Sequence, residues 1–431
     1  MIAILIFASS EFASCNETVR IKSPEQGPAA EVAVDNTGRL TFSVSLDGQV
    51  VVEASPLGVV VDGKDLGEGA AITGAEESSV DETFPTRLNH TTAVHRCTHS
   101  DIAVRPAEDT AFTLEFRACT DGVAYRYVIP GEGERTVSGE ASAWKMPPGS
   151  NIWYQTGLKN YEDEYRSSKD TEPGTKMGPP VVFELPGGAF AAIMESNVTG
   201  YSGMTIAAAD DDMFVSEFLD DPGGWEIDGA IETPWRVTMI SKDLDGLVNS
   251  DMVEALAGPA GPEYQEAEWI RPGRCLWSWL NGARDMVTQE NMRNYVDYAQ
   301  ELGFEYILVD DGWEDAPPHW RGVRPGWSEP GKTQMEMMGE LVDYAGERGV
   351  KIWVWKHYHY LQEPEYRCDY FKQLSDIGVV GVKIDFMDSE SQEMLRFYAD
   401  CLEDAAAHEL MINFHGANKP TGIECRYPHE M

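Results

Sequence analysis

The sequence predicts a chain of mixed β and α/β class, in which a large antiparallel β-sandwich precedes an incomplete (β/α)8 barrel. Three observations carry this expectation. Residues 31–242 run as short alternating apolar stretches broken by Gly, Pro, Asp and Asn. After "EWIRPGRCLWSWL" the period changes, and strand-like runs alternate with helical ones, the pattern of a parallel sheet with helical crossovers. The fifth such strand arrives at Met411 of 431 residues, which leaves too little chain for eight strands, so a truncated barrel is expected.

The segments follow in order. Residues 1–25 open with "MIAILIFASSEFASCN", an apolar stretch ending in small residues before Cys15, and are set apart as a signal peptide with a lipobox-like end. Residues 26–265 form the sandwich. Within it "LTFSVSLDGQVVVEAS" reads as a hairpin turning at Asp47-Gly48, and "FTLEFRACTDGVAYRYVIPG" as a second turning at Asp121-Gly122. Residues 266–431 form the barrel part. Its expected strands are "RCLWSWL", "YILVDDGW", "KIWVWKHY", "GVKIDFMD" and "LMINFHG", with helices over 289–302, 334–348, 366–377 and 390–408 between them. The strands end in polar and aromatic residues rather than a glycine-rich phosphate loop, which favours a barrel over a nucleotide-binding sheet.

The formal charge of −40 repels nucleic acid and anionic lipid, so neither is expected as a partner. A salt-loving source or simple solubility would each favour so acidic a composition. Beyond the N-terminus no apolar run reaches the ~18 residues of a membrane span, so no transmembrane segment is expected, while Cys15 could carry a lipid anchor. An exported protein, periplasmic or anchored at the outer membrane, is the expectation. The seven cysteines contain no CxxC pair, which argues against a zinc site. In an exported protein Cys97 and Cys119 are candidates to pair.

In such a barrel the reactive groups gather where the strands end, so those ends belong together. They carry Trp277, Trp279 and Asn281, then Asp310, Asp311 and Trp313, then Lys356 and His357, then Lys383, Asp385 and Asp388, then Asn413 and His415. Indole rings stack on sugar faces, and Asp and Lys hydrogen-bond hydroxyl pairs, so the inventory suits a carbohydrate pocket. Asp388, just before "SESQ", reads more simply as a helix cap. Asp385 lies inside its strand, where a carboxylate needs a cation to stay charged, and Lys383 on the same face supplies one.

The stretches "FRACTDGVAYRYVIPG", "FAAIMESNVTGYSGM", "YILVDDGW", "GVKIDFMDSESQ" and "MINFHGANKPTGIECRYPHEM" together resemble glycoside hydrolase family 97 in order and spacing. That resemblance implies an N-terminal β-super-sandwich joined to a (β/α)8 catalytic barrel. Inverting members resemble "HEA" after the fifth strand and lack the fourth-strand Asp. Here the chain reads His415-Gly416-Ala417 with Asp385 present, which implies the retaining, α-galactosidase-like branch. A retaining site needs its carboxyl groups about 5 Å apart for direct attack, whereas an inverting one leaves roughly 6.5–9.5 Å for a water.

The resemblance therefore implies hydrolysis of terminal α-galactosidic bonds in oligosaccharides through a glycosyl-Asp385 intermediate. Lys383, Asp310, Asp311, Trp313, Trp279, His357 and His415 are the expected substrate contacts. Glu195 in "IMESNVTGYSGM" is the implied ligand of a Ca2+ ion. Glu162 and Glu164 in "NYEDEYR" read as an exposed acidic loop that could border the pocket. The family's acid/base glutamate follows the Tyr427-Pro428 motif and is expected past Met431. Two alternatives stand beside this reading: an α-glucosidase of the same family, for which the sugar is α-glucosyl, and a non-catalytic carbohydrate-binding fragment.

Overall fold

The computed structural model describes residues 18–88, 90–107, 110–264, 266–279, 286–314 and 323–431. Cys15 and Asn281 lie outside them. The antiparallel domain begins with the strand Val19–Lys22, which pairs with Ala29–Val34, so the leader expected over 1–25 overlaps the first strand of the sheet. Among the described residues the sandwich comprises a 17-stranded antiparallel assembly and a small four-stranded sheet. Alternation puts Phe42, Phe116, Tyr125 and Trp144 inward, and their rings pack into one aromatic core.

The two expected hairpins turn for different reasons. Asp47 and Gly48 both have positive φ, 51° and 80°, as a two-residue turn matching the strand twist requires. In the second hairpin Gly122 already belongs to the strand Gly122–Ile129. A Cβ there would stand 2.5 Å from the Thr238 carbonyl and 2.6 Å from Met252 Sδ, so glycine is needed for close approach rather than for the turn. Cys97 and Cys119 sit directly opposite on neighbouring strands and form a disulfide.

The C-terminal part is a five-stranded parallel sheet among the described residues, ordered as in the sequence: Cys275–Trp277, Tyr306–Val309, Lys351–His357, Gly381–Asp385 and Met411–His415. The helices Gln289–Leu302, Gln334–Gly346, Pro364–Asp376 and Gln392–Ala406 cover its outer face. Their boundaries follow capping chemistry. Thr288 accepts from Asn291 N and Gly303 closes that helix at φ 70°, while Thr333 and Glu336 form a reciprocal capping box.

Ser391, not Asp388, caps the helix Gln392–Ala406. Asp388 instead sits at φ 47°, its N–H donating to the Gly416 carbonyl at 2.9 Å, so it belongs to the loop behind the fourth strand. Sandwich carboxylates complete that loop: Asp220 accepts from Ser389 Oγ at 3.0 Å and Glu390 N at 2.6 Å, and Asp221 from Gln392 N at 2.7 Å. Acceptors at the first N–H groups of a helix also complement its dipole. Among the described residues no helix is long and apolar enough to cross a membrane.

Candidate active site

Strand periodicity decides which side chains share the site. On the fourth strand Val382 and Ile384 face the helices, and Lys383 and Asp385 face inward. Register places Trp355 beside Lys383 and His357 beside Asp385 on one side, with Asn413 and His415 on the other. The inner face lines an open cleft of about 750 Å³ that reaches Trp277, Lys383, Asn413 and His415.

Asp385 is only 4% exposed and is surrounded by donors. Oδ1 accepts from Phe386 N at 2.9 Å and from His415 Nδ1 at 3.2 Å; Oδ2 accepts from Trp355 Nε1 at 2.9 Å, with Lys383 Nζ at 3.2 Å. Burial opposes ionisation, but the His415 hydrogen bond, the Lys383 charge and the Trp355 N–H outweigh it and hold the carboxyl down to about 2. Asp385 is thus an oriented, charged carboxylate at a strand end. Lys383 also stands 3.6 Å from Asp310 Oδ2 and 4.1 Å from the centre of the Trp277 ring. Asp310 in turn accepts from Trp277 Nε1 at 2.5 Å, so one ammonium serves two carboxylates beneath an indole platform.

Gly416 explains how the fifth strand accommodates this. Its φ is +57°, and a Cβ there would meet Phe386 N at 3.2 Å and Asp385 Oδ1 at 3.3 Å. Any side chain at this position, including the glutamate of an "HEA" motif, would press on the inward carboxylate. Phe386, at φ 70°, is held by its N–H to Asp385 Oδ1 and the His415 carbonyl.

The structure brings Lys383, Asp385, Asp310, His357 and His415 together. His357 stacks on Phe386, and its pKa is lowered by burial against the opposing pull of Asp385. Asp311 is half-buried where its charge acts on Glu314 and Tyr360. Trp279 is half-buried two residues past the first strand. Trp313 departs from expectation. It is 1% exposed and packs on Trp327 in the core under the helices, because Gly312, at φ 114°, turns the chain away from the cleft before it. A sugar has no access to it there.

Glu195 also departs from expectation. It is fully buried, pairs with Arg236 Nη1, and accepts from Lys419 Nζ and Met204 N at 2.8 and 2.9 Å. Both oxygens are occupied by cations and an amide, which leaves it a partner in an ion-pair network rather than a metal ligand. Glu140 sits on the other side of Arg236, and Glu390 accepts from Lys419 at 2.6 Å.

One contributor, Trp355, was missed by sequence reasoning, and two residues that it named, Glu162 and Lys356, take definite places. Trp355 donates directly to Asp385, and its position opposite Lys383 in "KIWVWKHY" could have shown it. Glu162 approaches His415 Nε2 to 3.7 Å across the domain boundary. Lys356 faces outward, bonded to Glu314 at 2.7 Å beside the Tyr370 ring, and so braces the second strand's loop rather than the cleft.

Comparison with known proteins agrees with this architecture. Residues 21–259 match the family description Glycosyl-hydrolase 97 N-terminal, and residues 269–431 match Glycoside hydrolase 97. A probable retaining alpha-galactosidase of Streptomyces bingchenggensis is 35% identical, over 100% of this chain and 67% of its own length. A retaining alpha-galactosidase of Bacteroides thetaiotaomicron is 27% identical, over 91% of this chain and 63% of its own. Among solved structures, a beta-arabinopyranosidase superposes with a TM-score of 0.86 at 24% identity, covering 96% of this chain and 69% of that one. A family 97 enzyme from Pseudoalteromonas in complex with acarbose gives 0.84 at 20%, covering 95% and 68%. The chain spans about two thirds of the length of the curated relatives it matches. The chain belongs to glycoside hydrolase family 97.

Proposed function

We propose that this chain carries the nucleophile half of a retaining α-galactosidase, an enzyme that cleaves terminal α-galactosyl residues from oligosaccharides. The observation that carries the proposal is Asp385: charged, nearly buried, and fixed by four donors at a barrel strand end. In the first step a carboxylate oxygen of Asp385 forms a bond to the anomeric carbon as the glycosidic C–O bond breaks and a general acid of the full-length protein protonates the departing oxygen. Water, giving its proton back to that group, then hydrolyses the glycosyl ester and restores the carboxylate. Gly416 supports the retaining route, since it leaves no side chain where an inverting base would stand. Lys383 and Asp310 are positioned for sugar hydroxyls, and Trp277 offers a stacking face.

Family 97 enzymes generally bind calcium. Around Glu195 the described residues do not fit a hard cation, because Arg236 and Lys419 already neutralise the carboxylate. Among the described residues the only cluster of potential ligands is His95, Cys97 and Cys119, and its cysteines are consumed by the disulfide. The disulfide supports an exported location in an oxidising compartment, consistent with lipid anchoring at Cys15.

The test is Asp385→Gly in the full-length protein, assayed on nitrophenyl α-galactoside and α-glucoside. Loss of turnover by ~10³-fold or more, with azide restoring it as β-galactosyl azide, is expected. Turnover that survives the substitution sinks the proposal; faster cleavage of the glucoside by the unaltered enzyme reassigns the sugar.

A further inference from the structure

One of the loops by which the sandwich reaches the barrel mouth is held in an unfavourable backbone conformation. Tyr161 has φ +55°, which a bulky residue adopts only where its surroundings compel it. Here they do. Its hydroxyl donates to Glu390 Oε2 at 3.0 Å and accepts from Lys419 Nζ at 3.2 Å, and its ring lies beside Gly178, where a Cβ would stand 2.6 Å from Tyr161 Cε1. Glu390 and Lys419 are 4% and 2% exposed, and they sit on the two loops that follow Asp385 and His415. The strained residue is therefore keyed to the same two loops that shape the site.

The next residue is Glu162. Its Oε1 lies 3.7 Å from His415 Nε2, while His415 Nδ1 lies 3.2 Å from Asp385 Oδ1, so one imidazole is flanked by a carboxylate from each domain. We propose that Glu162 is a positioning residue of the active site: from the sandwich side it fixes the ring of His415, so that Nδ1 stays aimed at Asp385. A carboxylate on each side of the ring, Asp385 within hydrogen-bond reach and Glu162 at ion-pair distance, selects that orientation. The other charged groups near this pair are Asp388 and Lys159, whose charges act on one another and on the Glu162 side, and Lys383 beyond Asp385. Trp277 contributes only its ring edge, 6.0 Å from the imidazole centre.

The inference rests on the reading of Asp385 as nucleophile, and its test separates the two. In full-length protein with isotope-labelled histidine, the His415 ring signal is followed by NMR at fixed pH in the unaltered enzyme, in Glu162→Gln and in Glu164→Gln. Glu164 is on the same loop and its side chain is exposed, so that variant removes an equal charge away from His415. Glu162→Gln should shift the His415 ring signal and broaden it, as the ring loses its partner on the sandwich side. Glu164→Gln should leave it in place. Equal shifts in both variants, or none in either, overturn the proposal, whatever the enzyme turns over. Activity supplies the second readout: Glu162→Gln should lower kcat about threefold to tenfold, with KM little changed. A loss confined to KM makes Glu162 a substrate contact and also overturns it.

Discussion

Replacing Gly416 by alanine tests whether the fifth strand makes room for Asp385, the proposed nucleophile. Gly416 has φ +57°, and for an L-residue that conformation costs about 1–2 kcal/mol. The added methyl would meet Phe386 N at 3.2 Å and Asp385 Oδ1 at 3.3 Å, so those atoms must retreat by a few tenths of an ångström. Neither retreats freely. Phe386 is itself at φ 70°, and Oδ1 is engaged by Phe386 N and His415, so overpacking adds about 1 kcal/mol or more. Gly349, at φ +73° with nothing within 4 Å of its would-be Cβ, provides the control: Gly349→Ala carries the backbone cost alone. Urea unfolding of the two variants should differ by that extra increment. In full-length enzyme, trapping of Asp385 by a fluorinated galactosyl fluoride should slow on the order of tenfold in Gly416→Ala only, because a displaced nucleophile leaves the attack geometry. If the two variants unfold alike and label at equal rates, the steric argument is wrong.

Three other outcomes follow from the same structure. Arg236→Met leaves Glu140 and Glu195 buried without their shared cation and should cost about 3–5 kcal/mol by urea unfolding, with the loss smaller at low pH where the carboxyls can protonate. Glu254 has its pKa raised to about 7, chiefly by burial and then by Glu424 and Asp251. A folded pKa above the unfolded one means that stability falls as pH rises from about 4.5 through 7, so Glu254→Gln should gain about 3 kcal/mol above pH 7.5 and nothing below pH 4 in pH-dependent unfolding. Removing the Cys97–Cys119 disulfide, which closes a loop with a sequence separation of 22, should lower stability by about 3 kcal/mol when Cys97→Ser/Cys119→Ser is compared with the oxidised protein.

Much of the catalytic half was legible because its signals are local. The helix expected over 289–302 appears as Gln289–Leu302, bounded by Thr288 and Gly303, and alternation alone placed Lys383 and Asp385 on one face. The misplacements involve relations that local periodicity does not encode. Trp313 sits only three residues past Asp310, but the turn at Gly312 sends it to the opposite side of the sheet. Glu195 was expected to hold a Ca2+ ion, whereas its partners are cations 41 residues away at Arg236 and 224 residues away at Lys419. Asp388 preceded a helix and resembled its cap, but Asp220 and Asp221 from the sandwich already satisfy the N–H groups nearby.

The seam between the two domains has a consequence for redesign. Asp220, Asp221, Tyr161 and Glu195 act as a mould pressed against the loops 386–391 and 416–421. A chimera that marries this barrel to a foreign sandwich must transplant that whole imprint, or the rim of the catalytic bowl will be cast in a different shape even though every strand beneath it is unchanged.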